Sequence, residues 1–192
     1  MKRHLFIITI LSAAFLQGFP QDANLFRENV TMKLDSTHFV VSGEYYFRNP
    51  LSQPVSQTVF FPYQFEKQAT KVDTISIYDI SDNIFLKPKR KMTTGVYFLL
   101  NLNKNEEKKV RVVYSQNHDG QSATYILSSA RYLPKPLSQG TYNLKATNKI
   151  EIDSFSMKPD NTGNIQDLTF YQWHKMNFKP SQDLIIYFHK KK

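Results

Sequence analysis

Phe39-Val40-Val41-Ser42-Gly43-Glu44-Tyr45-Tyr46-Phe47 is the stretch that decides the fold. Phe39, Val41, Gly43, Tyr45 and Phe47 alternate with Val40, Ser42, Glu44 and Tyr46, so one parity makes an apolar face and the other a mixed one. That period of two belongs to a strand, whose successive side chains point to opposite faces. Aromatic and β-branched residues suit such a half-buried pleated surface. Arg48-Asn49-Pro50 ends the run, because proline has no N–H to give to a ladder.

The same grammar repeats on both sides. Asn29 to Asp35 sets Val30, Met32 and Leu34 on one face, and Asp35-Ser36-Thr37 turns the chain. Thr58 to Phe61 stops at Pro62, Thr70 to Tyr78 alternates, and Ser81-Asp82-Asn83 turns. Gly95 to Leu102 and Lys108 to Tyr114 read as a hairpin around Asn103-Lys104-Asn105-Glu106. Ala123 to Leu127, Tyr142 to Ala146, Lys149 to Met157, Leu168 to Trp173 and Leu184 to His189 complete the set. Past the first twenty or so residues no stretch keeps a helical period over three turns; Tyr63 to Ala69 has room for one turn. Short strands at this spacing predict an all-β chain folded as an antiparallel β-sandwich over 24–192. It is either one domain or two packed β modules meeting near 131–140, where Pro134, Pro136 and Gly140 cluster.

The N-terminus predicts the compartment. Lys2, Arg3 and His4 precede an apolar run from Leu5 to Leu16, followed by small residues, with Ser12 and Ala14 in small-x-small spacing. These are the marks of a helical signal peptide, read over 1–20 with its end between Ala14 and Ala23. The run is shorter than the roughly 20 apolar residues of a spanning helix, and no later segment is apolar enough to span a bilayer. The chain is therefore expected to be secreted or periplasmic, and its Lys-rich, Cys-free composition reads as bacterial. The absence of cysteine excludes a disulfide scaffold, a thiol nucleophile and a thiolate zinc site. Lys2 and Arg3 contribute two units to the formal net charge of +9, leaving +7 on the remainder. That balance favours acidic partners: another envelope or secreted protein, or an anionic polysaccharide or glycolipid. Nucleic acid is not expected.

Two groups of residues are candidates for contact. Lys87, Lys89, Arg90 and Lys91 flank Pro88 and read as an exposed loop for a polyanion or acidic partner. The bland alternative is a charged hairpin tip that guards a sheet edge. Lys108, Lys109 and Arg111 are possible neighbours of that loop. Tyr171 and Trp173, with Tyr45, Tyr46, Tyr125 and Tyr132 as further rings, are candidates for a sugar-stacking platform. The alternative is that they fill the space between two sheets. Metal and catalytic signals are thin. His38, His118, His174 and His189 lack metal-ligand spacing, and Asp160 to Asn164 with Asp167 lacks the spacing of a calcium loop. There is no G-x-S-x-G, H-E-x-x-H or P-loop, and Glu106-Glu107 would point to opposite faces of a strand. No metal, cofactor or catalytic residue is assigned. The resulting expectation is a secreted, non-enzymatic binding or accessory module of the bacterial envelope. A polysaccharide-binding module and a hydrolase with an unrecognised site are the alternatives.

The order Asn29 to Leu34, then Gly43-Glu44-Tyr45-Tyr46-Phe47-Arg48-Asn49, then Phe60-Phe61-Pro62 resembles the opening of VIT-type (vault protein inter-alpha-trypsin) domains. Lys109 to Tyr114 is similar to a later part of that pattern. Trp173, Asn177-Phe178-Lys179-Pro180 and Leu184 to Phe188 are similar to the close of secreted bacterial β-sandwich proteins of unknown function. The resemblance implies a β-sandwich and carries no catalytic residue, since the shared positions are structural.

Overall fold

The computed structural model describes residues 23–64 and 71–191. The leader over 1–20 lies outside the described residues, as does most of the turn predicted over 63–69. The chain is an all-β sandwich. In order, the strands are β1 (Asn24–Leu34), β2 (His38–Arg48), β3 (Val55–Pro62), β4 (Val72–Asp79), β5 (Ile84–Phe85), β6 (Arg90–Met92) and β7 (Gly95–Leu102). They continue with β8 (Glu107–Asn117), β9 (Ser122–Tyr125), β10 (Leu137–Thr147), β11 (Ile150–Phe155), β12 (Asn161–Ile165), β13 (Leu168–Phe178) and β14 (Leu184–Lys190). A 3-10 turn spans Ser128–Tyr132, and among the described residues no helix is long and apolar enough to cross a membrane.

One layer is an eight-stranded sheet in the order β12-β13-β10-β1-β2-β8-β4-β5. Two three-stranded sheets, β3-β7-β6 and β11-β14-β9, cover its inner face side by side. The period-two pattern decides that face: Val30, Met32 and Leu34 of β1 and Phe39, Val41, Tyr45 and Phe47 of β2 are all buried. Val110, Val112 and Tyr114 of β8 and Tyr142, Leu144 and Ala146 of β10 join them in one core. From the second layer, Phe61 of β3 packs on Tyr45 with ring centroids 5.2 Å apart. Phe155 of β11 meets Trp173 of β13 at 5.2 Å. The outer face stays polar, and there Glu44 pairs with Lys109 and Arg111.

The structure departs from the sequence reading in three places. First, β7 and β8 are not a hairpin. β7 pairs with β3 and β6, whereas β8 pairs with β2 and β4, so Asn103 to Glu106 carries the chain from one layer to the other. The apolar faces Val96, Phe98, Leu100 and Val110, Val112, Tyr114 meet across the core instead of lying side by side. Asn49 holds this crossing. It is fully buried, its amide donates to the Gln53 and Asn103 carbonyls, each at 2.8 Å, and its Oδ1 accepts from the Leu51 N–H at 3.0 Å.

Second, β1 and β10 run parallel, an exception to the antiparallel pattern, with Glu28 opposite Gly140 and Val30 opposite Tyr142. Third, a short edge strand replaces part of the predicted basic loop: Arg90 and Lys91 lie in β6, paired to β7. Asn161 to Ile165 form β12, a polar hairpin with β13 at the rim of the large sheet. Asp160 accepts from the His174 N–H at 2.7 Å and from Lys175 Nζ at 2.9 Å, so its oxygens serve the strand edge.

Lys108 pins β8 to the end of β4. It is 6% exposed, and its ammonium reaches Asp79 at 3.4 Å and also Asp82 and Glu106. Burial alone lowers a lysine pKa; here the hydrogen bond to Asp82 and the surrounding carboxylates outweigh it and raise it. Removing one partner of a buried pair leaves an uncompensated charge, at a cost of about 3–5 kcal/mol. Lys108→Met is expected to destabilise by about that amount in urea unfolding, and adding Asp79→Asn to recover part of the loss.

Candidate functional site

The two small sheets do not pair with each other. β3 and β9 are both edge strands of their own sheets, and a cleft of about 330 Å³ opens along the seam. Its floor is the inner face of the large sheet: Leu25 and Glu28 of β1, Tyr45 and Phe47 of β2, and Val110 and Val112 of β8. Gln57 to Pro62 of β3 make one wall. Tyr125, Leu127 and the 3-10 turn with Ser129, Ala130 and Tyr132 make the other. Asp183 shapes that second wall by accepting from the Leu127 and Ser128 N–H groups at 2.9 and 2.7 Å. Tyr132 at 70% exposure and Phe60 at 40% stand at the rim.

The floor holds one acid, Glu28, only 4% exposed. Tyr142 Oη donates to its Oε1 at 2.5 Å and Tyr125 Oη to its Oε2 at 3.4 Å. Tyr45 Oη lies 2.9 Å from Tyr125 Oη. Burial raises the Glu28 pKa from 4.5 to about 7, and the two tyrosine hydrogen bonds oppose the rise without cancelling it. Burial likewise drives Tyr45, Tyr125 and Tyr142 upward, with the nearby Glu28 charge adding to it, so all three stay protonated hydroxyl donors.

A repeated sequence device builds this cluster. Gly43-Glu44-Tyr45 on β2 and Gly140-Thr141-Tyr142 on β10 flank β1 from opposite sides. In each, the tyrosine ring lies back over the glycine two residues earlier. A Cβ on Gly43 would sit 2.3 Å from Tyr45 Oη, and one on Gly140 would sit 2.5 Å from Tyr142 Oη. Only glycine leaves room for rings lying along the sheet.

Of the residues singled out from sequence, Tyr45, Tyr125 and Tyr132 line the cleft and the others fall elsewhere. Trp173 is 0% exposed, its indole N–H donating to the Met157 carbonyl at 2.8 Å, so it offers no face to a sugar. Tyr171 is half-buried against Phe155. Both rings fill the space between layers, because the inward parity of β13 faces β11. Lys87, Lys89, Arg90 and Lys91 are exposed, and none joins the ion pairs among the described residues. Lys108, Lys109 and Arg111 do not extend that patch. The first is buried among carboxylates, and the other two are tied to Glu44 on the opposite face of the large sheet. Glu28 escaped the sequence reading because the first strand was begun at Asn29. Carrying the parity of Val30, Met32 and Leu34 back one step puts Glu28 on the buried face, and that was the available signal.

The raised pKa makes Glu28 a stability term with a definite sign. The folded state holds this proton more tightly than the unfolded chain, so its contribution is full below pH 4.5 and is lost as pH rises through about 7. A shift of this size corresponds to about 3 kcal/mol. Unfolding free energy measured from acid to neutral pH is expected to fall across that window in the wild type. Glu28→Gln is expected to flatten this part of the profile and to be the more stable protein above neutrality. Gly140→Ala is expected to lose about 1–3 kcal/mol in the same assay, because the Tyr142 ring must move.

Comparison of the sequence with protein families and with curated proteins gives no match. Solved structures do match in fold. A candidate nutrient-binding protein from Legionella pneumophila superposes with a TM-score of 0.66 at 10% identity, covering 88% of this chain and 67% of that one. An M1 zinc metallopeptidase from Deinococcus radiodurans superposes with a TM-score of 0.53 at 10% identity, covering 87% of this chain. The chain spans only 42% of that peptidase. At such identity these likenesses establish a shared β fold and nothing finer.

Proposed function

We propose that this chain is a non-enzymatic binding module, exported to the bacterial envelope or beyond, that holds a small apolar ligand in the cleft over Glu28. The observation that carries this reading is the cleft itself: a seam of about 330 Å³ with apolar walls and a few converging polar groups. That is the usual make-up of a small-molecule site. The leader-like N-terminus supports export. Lys87, Lys89, Arg90 and Lys91, exposed and without an ion pair among the described residues, support a separate contact with an acidic partner, an envelope protein or an anionic glycan. The nutrient-binding neighbour agrees with a binding role by analogy of fold.

A carboxyl that titrates near neutrality also suits a general base, so acid–base catalysis is the competing reading. What favours binding is the company Glu28 keeps. No histidine, lysine, arginine or second carboxylate lines the cleft among the described residues, and Ser129 and Thr58 are exposed. Burial holds the acid's proton, and among the described residues no nucleophile stands ready to use it.

Filling the cleft tests the reading. Saturation-transfer NMR with n-hexanol is expected to show uptake by the wild type. Ala130→Trp, placed on the inner wall, is expected to abolish it while leaving the far-ultraviolet spectrum of the β fold unchanged. A wild type that takes up no apolar molecule, or a filled variant that binds as well as the wild type, would count against the cleft as the site.

A further inference from the structure

We infer that the cleft takes apolar primary amines, with the ammonium group paired to the Glu28 carboxylate and the hydrocarbon body against Phe47, Phe61, Val110 and Leu127. This rests on the reading of the cleft as the binding site and adds the chemical class of its ligand.

The first argument is charge. Glu28 is buried, and the groups that face it are Tyr45 from β2, Tyr125 from β9 and Tyr142 from β10, all neutral. Among the described residues it joins no ion pair and no cationic side chain lines the cleft. Buried carboxylates ordinarily have a cation beside them. Here the protein supplies hydrogen-bond donors and leaves the counter-charge to a ligand.

The second argument is the direction of the protons. A tyrosine hydroxyl has one proton to give. With Tyr142 and Tyr125 both donating to Glu28, Tyr45 donates in turn to Tyr125. In the ionised form the chain of donors converges on Glu28, which is then purely an acceptor. Against ionised Glu28 a carboxylate ligand meets a like charge, and an alcohol offers one hydrogen bond. An ammonium offers three donors and the missing charge, and a primary alkylamine is protonated at neutral pH as lysine is.

The formal net charge of +9 opposes any cation at long range. That field comes from exposed groups and is screened over about 8–10 Å in physiological salt. The contact with Glu28 forms away from water, where attraction is several times stronger, so the local interaction wins. Because an ammonium favours ionised Glu28, docking is expected to release the proton that burial holds there near pH 7.

Calorimetric titration of the wild type with n-hexylamine, n-hexanol and n-hexanoate at neutral pH separates the possibilities. Hexylamine is expected to bind about 10- to 100-fold tighter than hexanol, the margin of a charge-assisted hydrogen bond. Hexanoate is expected to be weakest. The amine's heat is expected to change with the ionisation heat of the buffer, reporting the released proton. Glu28→Gln, similar in shape, is expected to bring the amine down to the level of the alcohol. Hexanol or hexanoate binding the wild type as tightly as hexylamine would overturn the amine inference while leaving the cleft as a site. Absence of binding by all three would overturn both.

Discussion

Everything in this sandwich depends on where β1 lies. It sits between β2, its antiparallel neighbour in sequence, and β10, which reaches it in parallel after a long excursion of the chain. A parallel pair needs a crossover connection, and here the crossover contains most of the molecule. β2, β8, β4 and β5 extend the sheet on one side of β1, and β10, β13 and β12 extend it on the other. The inner face of β1 is thus the one strip of surface that both halves of the chain share. The second layer comes as two separate sheets, so their meeting line falls over this strip.

That placement explains why an acid is buried there. Along β1 the inward parity runs Glu28, Val30, Met32, Leu34, and the last three are core residues of an ordinary kind. Glu28 lies under the seam, where the covering layer is incomplete and three tyrosine hydroxyls converge. Its burial opposes ionisation, and the hydrogen bonds recover only part of that cost. Stability and the proposed binding therefore draw on the same group. A folded protein that holds Glu28 neutral below pH 7 is the protein whose carboxylate, once ionised, has most to gain from a cation.

The fold was legible and the site was only half so. The motif from Gly43 to Asn49 was read correctly as strand and turn, and each of its marked residues has a physical task. Gly43 clears the Tyr45 ring, Tyr45 joins the donor chain, Phe47 floors the cleft and Asn49 ties the crossing at Asn103. The same G-x-Y spacing at Gly140 was visible but had no meaning until β10 was known to lie beside β1. Trp173 drew attention as a solitary tryptophan, yet its parity on β13 is the inward one and its ring is core. The hairpin expected around Asn103 to Glu106 shows the limit most clearly. A turn between two alternating strands is the same string whether the strands pair in one sheet or face each other across two.

What the sequence by itself determined is the period of two, the all-β class, the turns and the buried parity of each clear strand. These follow from local geometry, since an extended backbone must put alternate side chains on opposite faces. Only the tertiary structure decided the layer of β7 and β8, the parallel partner of β1 and the cleft over Glu28. Those depend on contacts between distant residues; Glu28 and Tyr142, joined by a hydrogen bond, are 114 positions apart. Alternation places a side chain on a face of its strand, and only the packing of the whole chain decides what that face meets.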